Sequence, residues 1–282
     1  MELVLKKSYF FYFILLLLML TLGGCIKIAP LPPPPELPTP EPAGLLTIGI
    51  ESDLASLEPI LAEWAVQNSE QFQTLFVTGS ADQLQRQLAA GELDGIFVYQ
   101  KPINASLWTL PIALDSITII AHPALALNSL ERSHLQQVFA GDIKNWETIA
   151  GQNRPISVFV LDNRSGVYTL FNERIMENRP VEVSAVVPLD QVEMLKKVAE
   201  TEGGLGFLPT SRVDAESDVQ VVPVDGFFPQ FNTVRSQQYP LTIPVYMGAF
   251  EEPQGELRRL AAWLQSAEGQ QTLATKFVQL GN

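Results

Sequence analysis

From Leu45 onward, short apolar runs alternate with segments whose apolar residues recur at helical spacing, and this alternation restricts the fold more than any other feature. "LLTIGI" (45–50), "FQTLFVTG" (72–79) and "DGIFVYQ" (94–100) read as three strands. "ILAEWAVQN" follows Pro59, a residue suited to the first turn of a helix, with Ser56 as a candidate N-cap. "SADQLQRQLAAGEL" opens on an N-cap serine, carries Leu84 and Leu88, and stops near Gly91. Strand–helix–strand units of this length imply an α/β fold with a parallel sheet covered on both faces. A second set follows. It starts with β-branched "SITIIAHP" around residue 117, then a helix and a Gly-Asp turn in "LNSLERSHLQQVFAGDIKNWETIAG". A strand at 156–161 leads through "DNRSGVYTLF" into a helix to about Met176, and another helix runs from Asp190 to Glu202. "EGGLGFLPTSRV" reads as helix stop and strand, "YPLTIPVYMGAF" (239–250) as a strand bordered by prolines, and "GELRRLAAWLQSAEGQQTLATKF" as a terminal helical region.

The residues before Leu45 follow different rules. Lys6 and Lys7 precede "YFFYFILLLLMLTL", a positive n-region followed by an apolar h-region. A plain transmembrane anchor is the rival reading, although the run from Ser8 to Leu22 is slightly short of a span. "LGGC" at 22–25 decides for cleavage, because it resembles the lipobox of bacterial lipoproteins and places Cys25 as the lipidated residue. Cys25 is the only cysteine, so no disulfide forms within the chain. "IKIAPLPPPPELPTPEPAG" (26–44) is too proline-dense to pack and reads as an extended spacer, with an SH3-type ligand as the alternative. The expected organisation is a signal peptide over 1–24, a lipid-anchored linker over 25–43 and a folded domain over 44–282. That places the protein on the extracytoplasmic face of a cell membrane. Removing 1–24 takes Lys6, Lys7 and Glu2 from the 18 basic and 31 acidic residues, leaving a net charge of −14. Such a charge disfavours nonspecific binding to nucleic acid, which depends on neutralising phosphates.

Enzyme chemistry finds little support. His122 and His134 are the only histidines, one ending an apolar strand and one in a polar helix. There is no HExxH, no P-loop and no G-x-S-x-G, and nothing implies a cofactor or metal. Trp64, Trp108, Trp146 and Trp263 stand within apolar patterns and are expected in the core.

"LERSHLQQVFAGDIKNWETIAG", "ISVFVLDNRSGVYTLF", "EGGLGFLP", "YPLTIPVY" and "WLQSAEGQQTL" occur in an order and spacing similar to the phosphate-type periplasmic substrate-binding proteins of ABC transporters. The resemblance covers nearly everything from about 45 to 280 and implies a type II binding-protein fold. That fold has two α/β lobes, two crossing strands as a hinge, and a ligand in the cleft. Lobe 1 would hold about 45–120 and 243–282, and lobe 2 about 124–238, with crossings near Ile117–Pro123 and Tyr239–Tyr246. The implied partners are a small anionic or polar solute and an ABC permease, with the protein itself a monomer.

The polar set that reads phosphate in that family is partly replaced. Val167 stands where a Ser-Gly-Thr turn has threonine, and Leu161 where an arginine four residues before the serine is usual. The turn therefore keeps two readings. In one, Ser165, the N–H groups near Gly166 and the charge of Arg164 hold an anion. In the other, Ser165 only caps a helix. Tyr99 and Gln100 lie at the carboxyl end of a strand, where open α/β sheets place ligands. Ser56 and Tyr168 complete the candidate set. Two functions stay open: a solute-binding lipoprotein of an ABC transporter, or a sensor or interaction module on the same scaffold without transport.

Overall fold

The computed structural model describes residues 44–68, 72–101 and 107–280. The expected signal peptide, Cys25 and the proline-rich linker lie outside these residues. From 44 onward the described chain forms one compact unit with its own hydrophobic core, running from Leu46 to Phe277. Among the described residues no helix is long and apolar enough to cross a membrane.

Strand β1 (Gly44–Glu51) pairs in parallel with β2 (Phe72–Gly79) and β3 (Gly95–Val98). Helices α1 (Glu58–Gln67) and α2 (Ala81–Ala89) connect them. Helix α2 starts at Ser80, whose hydroxyl accepts from the Gln83 N–H, buries Ala81, Leu84 and Leu88, and is followed by Gly91 at φ 73°. Helix α1 starts one residue after Leu57 with no side-chain cap, so Ser56 does not serve as its N-cap.

The long strand β4 (Trp108–Ala121) organises the rest. Along Trp108–Ser116 it runs antiparallel to β8 (Thr242–Ala249), which in turn pairs with β3. From Ile117 to Ala121 it pairs with β6 (Gly204–Pro209) and β7 (Gln220–Val222), both antiparallel, while β5 (Ser157–Val158) adds to β6 in parallel. The strand order is β2-β1-β3-β8-β4-β6-β5, with β7 on β4. The sheet is thus mixed: parallel within each strand–helix–strand set, antiparallel where β4 and β8 carry the chain between sets. Sequence reading places the first crossing strand around residue 117. The structure starts it at Trp108, with an irregularity between Pro111 and Ala113 where proline lacks a ladder donor.

The two halves meet at β4. One holds β1, β2, β3 and β8; the other holds β5, β6 and β7 with helices α3 (Arg132–Phe139), α4 (Glu147–Ala150), α5 (Gly166–Phe171), α6 (Gln191–Glu200) and α7 (Phe231–Arg235). The chain returns to the first half through Leu241, whose carbonyl accepts from the Ile117 N–H. Helices α8 (Gly255–Gln265) and α9 (Ala267–Leu273) then fold back on β4, where the Gln270 Nε2 donates to the Ile112 carbonyl. Each half has an aromatic nucleus. Phe171 stacks on Phe207 at 3.9 Å with Phe139 edge-on to both, and Trp64 packs on Phe72 and Trp263. Trp64 and Trp146 are buried, whereas Trp108 and Trp263 are half-buried against the same core.

Candidate functional site

The turn at 162–166 is built as its sequence suggests. Asp162 Oδ1 accepts from the main-chain N–H of Arg164 at 2.9 Å, an Asx turn that reverses the chain. Ser165 Oγ accepts from the Tyr168 N–H at 3.0 Å and caps α5. Arg164 folds back onto Asp162, Nε to Oδ1 at 2.8 Å, and leaves 79% of its side chain exposed, so its charge stays outside the turn.

Facing the turn across the cleft is a carboxylate pair from the first half of the molecule. β1 ends on Glu51, and a single 3-10 turn (Ser52–Leu54) follows it. Glu51 Oε1 accepts from the Gly166 N–H at 2.8 Å, and its Oε2 accepts from the Tyr99 N–H at 2.8 Å. Asp53 Oδ2 accepts from the Ser165 hydroxyl at 2.5 Å and from the Val167 N–H at 3.2 Å. Asp53 Oδ1 accepts from Gln191 Nε2 at 3.0 Å, at the start of α6. The Ser165 hydroxyl and the Gly166 and Val167 N–H groups, the turn's donors that suit an oxyanion, are therefore engaged by the chain's own carboxylates.

A third buried carboxylate lies behind the pair. Asp115, on β4 at the crossing between halves, accepts from the Tyr99 hydroxyl at 2.7 Å, the Ser116 N–H at 2.7 Å and the Ser211 N–H at 3.2 Å. None of Glu51, Asp53 and Asp115 takes part in an ion pair among the described residues. Burial without a cation disfavours the charged form. Glu51 is accordingly pushed up to about 8, by burial first and then by the neighbouring Asp53 charge. Burial also raises Asp53 and Asp115. The shift favours the neutral form of Glu51, which eases the approach of its carboxyl to Asp53.

The cleft around this contact has a volume of 480 Å³ and is lined by Glu51, Asp53, Leu161, Arg164, Gln191 and Arg212, among others. Leu161, where the family pattern expects arginine, is buried and contributes an apolar wall. A second cavity of 500 Å³ opens beside α5, where Gln100, Lys101, Arg164, Arg174 and Tyr246 gather.

Of the residues singled out in the sequence, Ser165 and Gly166 sit at the contact itself and Arg164 borders it. Tyr99 is 1% exposed, with its ring turned into the core and its hydroxyl on Asp115. Gln100 is half-buried in the second cavity. Ser56 is buried and donates to the Ser211 carbonyl at 2.9 Å, joining the halves on the far side of the cleft. Tyr168 is half-buried against the hydrophobic core. Sequence reading passed over Glu51, Asp53 and Gln191. The signal for the two acids lies in "ESD" directly after the apolar run of β1, since acids at the carboxyl end of a parallel strand stand at the ligand position of an open sheet, whereas Gln191 carries no such signal.

A family model described as the PBP superfamily domain matches residues 55–268. The phosphate-binding protein PstS of Bacillus subtilis is 22% identical over 165 residues, spanning 58% of this chain and 54% of that protein. Protein SphX of Synechococcus elongatus is 26% identical over 156 residues, spanning 51% of this chain and 46% of that protein. The chain thus spans about half the length of the curated relatives it matches. Among solved structures, a putative phosphate ABC transporter substrate-binding protein from Clostridium perfringens, determined with bound phosphate, superposes with a TM-score of 0.75. It is 19% identical, and the match covers 84% of this chain and all of that one. An ABC-type phosphate transport receptor from Vibrio cholerae gives 0.72 at 20% identity, covering 83% and 99%. At these identities the structures show the fold: two α/β lobes joined by crossing strands, the type II binding-protein architecture.

Proposed function

The chain belongs to the PBP superfamily, and from that premise we propose that it is a membrane-anchored, extracytoplasmic solute-binding protein of the phosphate type that does not hold phosphate at the 162–166 turn. It binds without turning over its solute, acts as a monomer, and passes the solute to an ABC permease. Cys25 carries the lipid and residues 26–43 space the domain from the membrane. The family match and the phosphate-binding relatives support the receptor role. One observation carries the exclusion of phosphate: Ser165, Gly166 and Val167 already donate to Asp53 and Glu51. Phosphate would have to displace both carboxylates and bind beside them. Leu161 supplies none of the charge-assisted contact that distinguishes tight oxyanion binders. Each hydrogen bond to a charged group lost in this way is worth about 1.5–3 kcal/mol, roughly 10- to 150-fold in affinity.

The engaged donors also favour a second reading, a sensor or interaction module on this scaffold that no longer transports. Titration calorimetry of residues 44–282 with phosphate tests the first claim. No measurable binding at micromolar phosphate is expected, and a sub-micromolar Kd refutes it. A thermal-shift screen against oxyanions and small organic acids separates the two functions. A solute present at 100 times its Kd adds about 2.7 kcal/mol of apparent stability. Such a hit supports the receptor, whereas silence across the screen supports the module.

A further inference from the structure

The carboxylates that reach the turn belong to one half of the molecule and their donors to the other. Glu51 and Asp53 follow β1, whereas Ser165, Gly166 and Val167 open α5, and Gln191 opens α6. Four hydrogen bonds cross the cleft between these groups, at 2.5, 2.8, 3.0 and 3.2 Å. Glu51 and Asp53 are 1% and 6% exposed, so the contact is buried at the edge of the cleft. The halves are otherwise joined covalently only through β4 and through the return at Leu241. Away from β4, the other polar contacts across the divide are single ones: the buried Ser56 hydroxyl to the Ser211 carbonyl at 2.9 Å, Lys276 to Asp214, both exposed, and the Arg174 guanidinium to the Thr242 carbonyl.

We propose that Glu51 and Asp53 form an intramolecular latch, an internal ligand that holds the cleft shut with no solute bound, so that solute entry requires the latch to release. The inference rests on the functional reading above and adds how its cleft is regulated. Ordinary cleft closure is brought about by a ligand that both halves touch, because only such a ligand binds the closed form better than the open one. Here the chain supplies the bridging acceptors itself, in the carboxyl groups of Glu51 and Asp53. The fit is close on both sides. A Cβ placed on residue 166 would fall 2.1 Å from Glu51 Oε1, so only glycine lets the carboxyl reach this N–H. The protonated state favoured for buried Glu51 removes one of two adjacent negative charges and is consistent with the approach.

Small-angle scattering of residues 44–282, the segment that holds the whole core, tests the latch in solute-free, phosphate-free buffer. The wild type is expected to match the closed structure, with a radius of gyration near roughly 18 Å for a compact chain of this length. Gly166→Ala, which evicts Glu51 without touching either carboxylate, should raise that radius. Glu51→Ala with Asp53→Ala should do the same. An open wild type, or variants that fold and stay closed, overturns the proposal. Wild-type scattering alone decides if neither variant folds. Phosphate calorimetry judges the functional reading separately: tight phosphate binding by the wild type sinks that reading, while the scattering series still judges the latch.

Discussion

The Tyr99 hydroxyl donates to Asp115 Oδ2 at 2.7 Å with both side chains buried, and this pair ties the strand below the cleft to the strand that crosses between the halves. The Tyr99 main-chain N–H, on the same residue, donates to Glu51. One residue therefore braces two of the three buried carboxylates. Tyr99→Phe removes the hydroxyl and leaves a buried acceptor one donor short. The expected cost is about 1–3 kcal/mol, read as a lower denaturation midpoint at unchanged slope. A change under about 0.5 kcal/mol would mean that the Ser116 and Ser211 donors satisfy Asp115 alone.

Stability should fall as the pH rises. Glu51 is held at about 8 in the folded protein, against an ordinary value of 4.5. Below about 4.5 the group is protonated whether or not the chain is folded, and its contribution to stability is complete. Between there and about 8 only the folded form keeps the proton, so stability is lost at up to about 1.4 kcal/mol per pH unit and then levels off. Asp53 and Asp115, also raised by burial, act in the same direction. Asp82 adds a further, smaller repulsion to Glu51. Melting temperatures between about pH 5 and 8.5 should decline in the wild type and decline less steeply in Glu51→Gln. Parallel curves would show that another group sets the slope.

The aromatic nucleus of the second half should be the costliest part of the core to cut. Phe207 lies 3.9 Å from Phe171 in a near-parallel stack and is fully buried. Phe207→Ala is expected to lose about 3–5 kcal/mol, by chemical denaturation. A loss near 1 kcal/mol would require the neighbours to collapse into the space.

Lipid attachment makes a separate forecast. Cys25→Ala should accumulate as unprocessed precursor and fail to incorporate labelled palmitate, because the lipobox-like "LGGC" loses its only thiol. Labelled protein of mature size from that variant contradicts the assignment.

How much of the fold and site was legible in the sequence varied by element, for physical reasons. β1 and β2 are short, apolar and bounded by turn residues, so their period and punctuation identify them. The first half of β4 does not read as strand because Pro111 interrupts "WTLPIALD", and proline within a strand is tolerated only at such irregularities. β7 and α7 are three and five residues long, too short to show a period. The turn at 162–166 and its cap are legible, because Asx turns and N-caps are local chemistry. What fills the turn is not, since Glu51 and Gly166 are 115 residues apart and no local pattern couples them. Leu161 and Val167, standing where the family resemblance implies arginine and threonine, are the sequence's hints that the turn is not a standard phosphate site.

In this structure the cleft is closed on the chain's own carboxylates. A crystal structure of residues 44–282, grown without phosphate or sulfate near pH 6.5, tests it most directly. Glu51 Oε1 is expected at 2.8 Å from the Gly166 nitrogen and Asp53 Oδ2 at 3.2 Å from the Val167 nitrogen, with no solute between them. An open cleft, with those N–H groups facing solvent and both carboxylates turned to water, would contradict it.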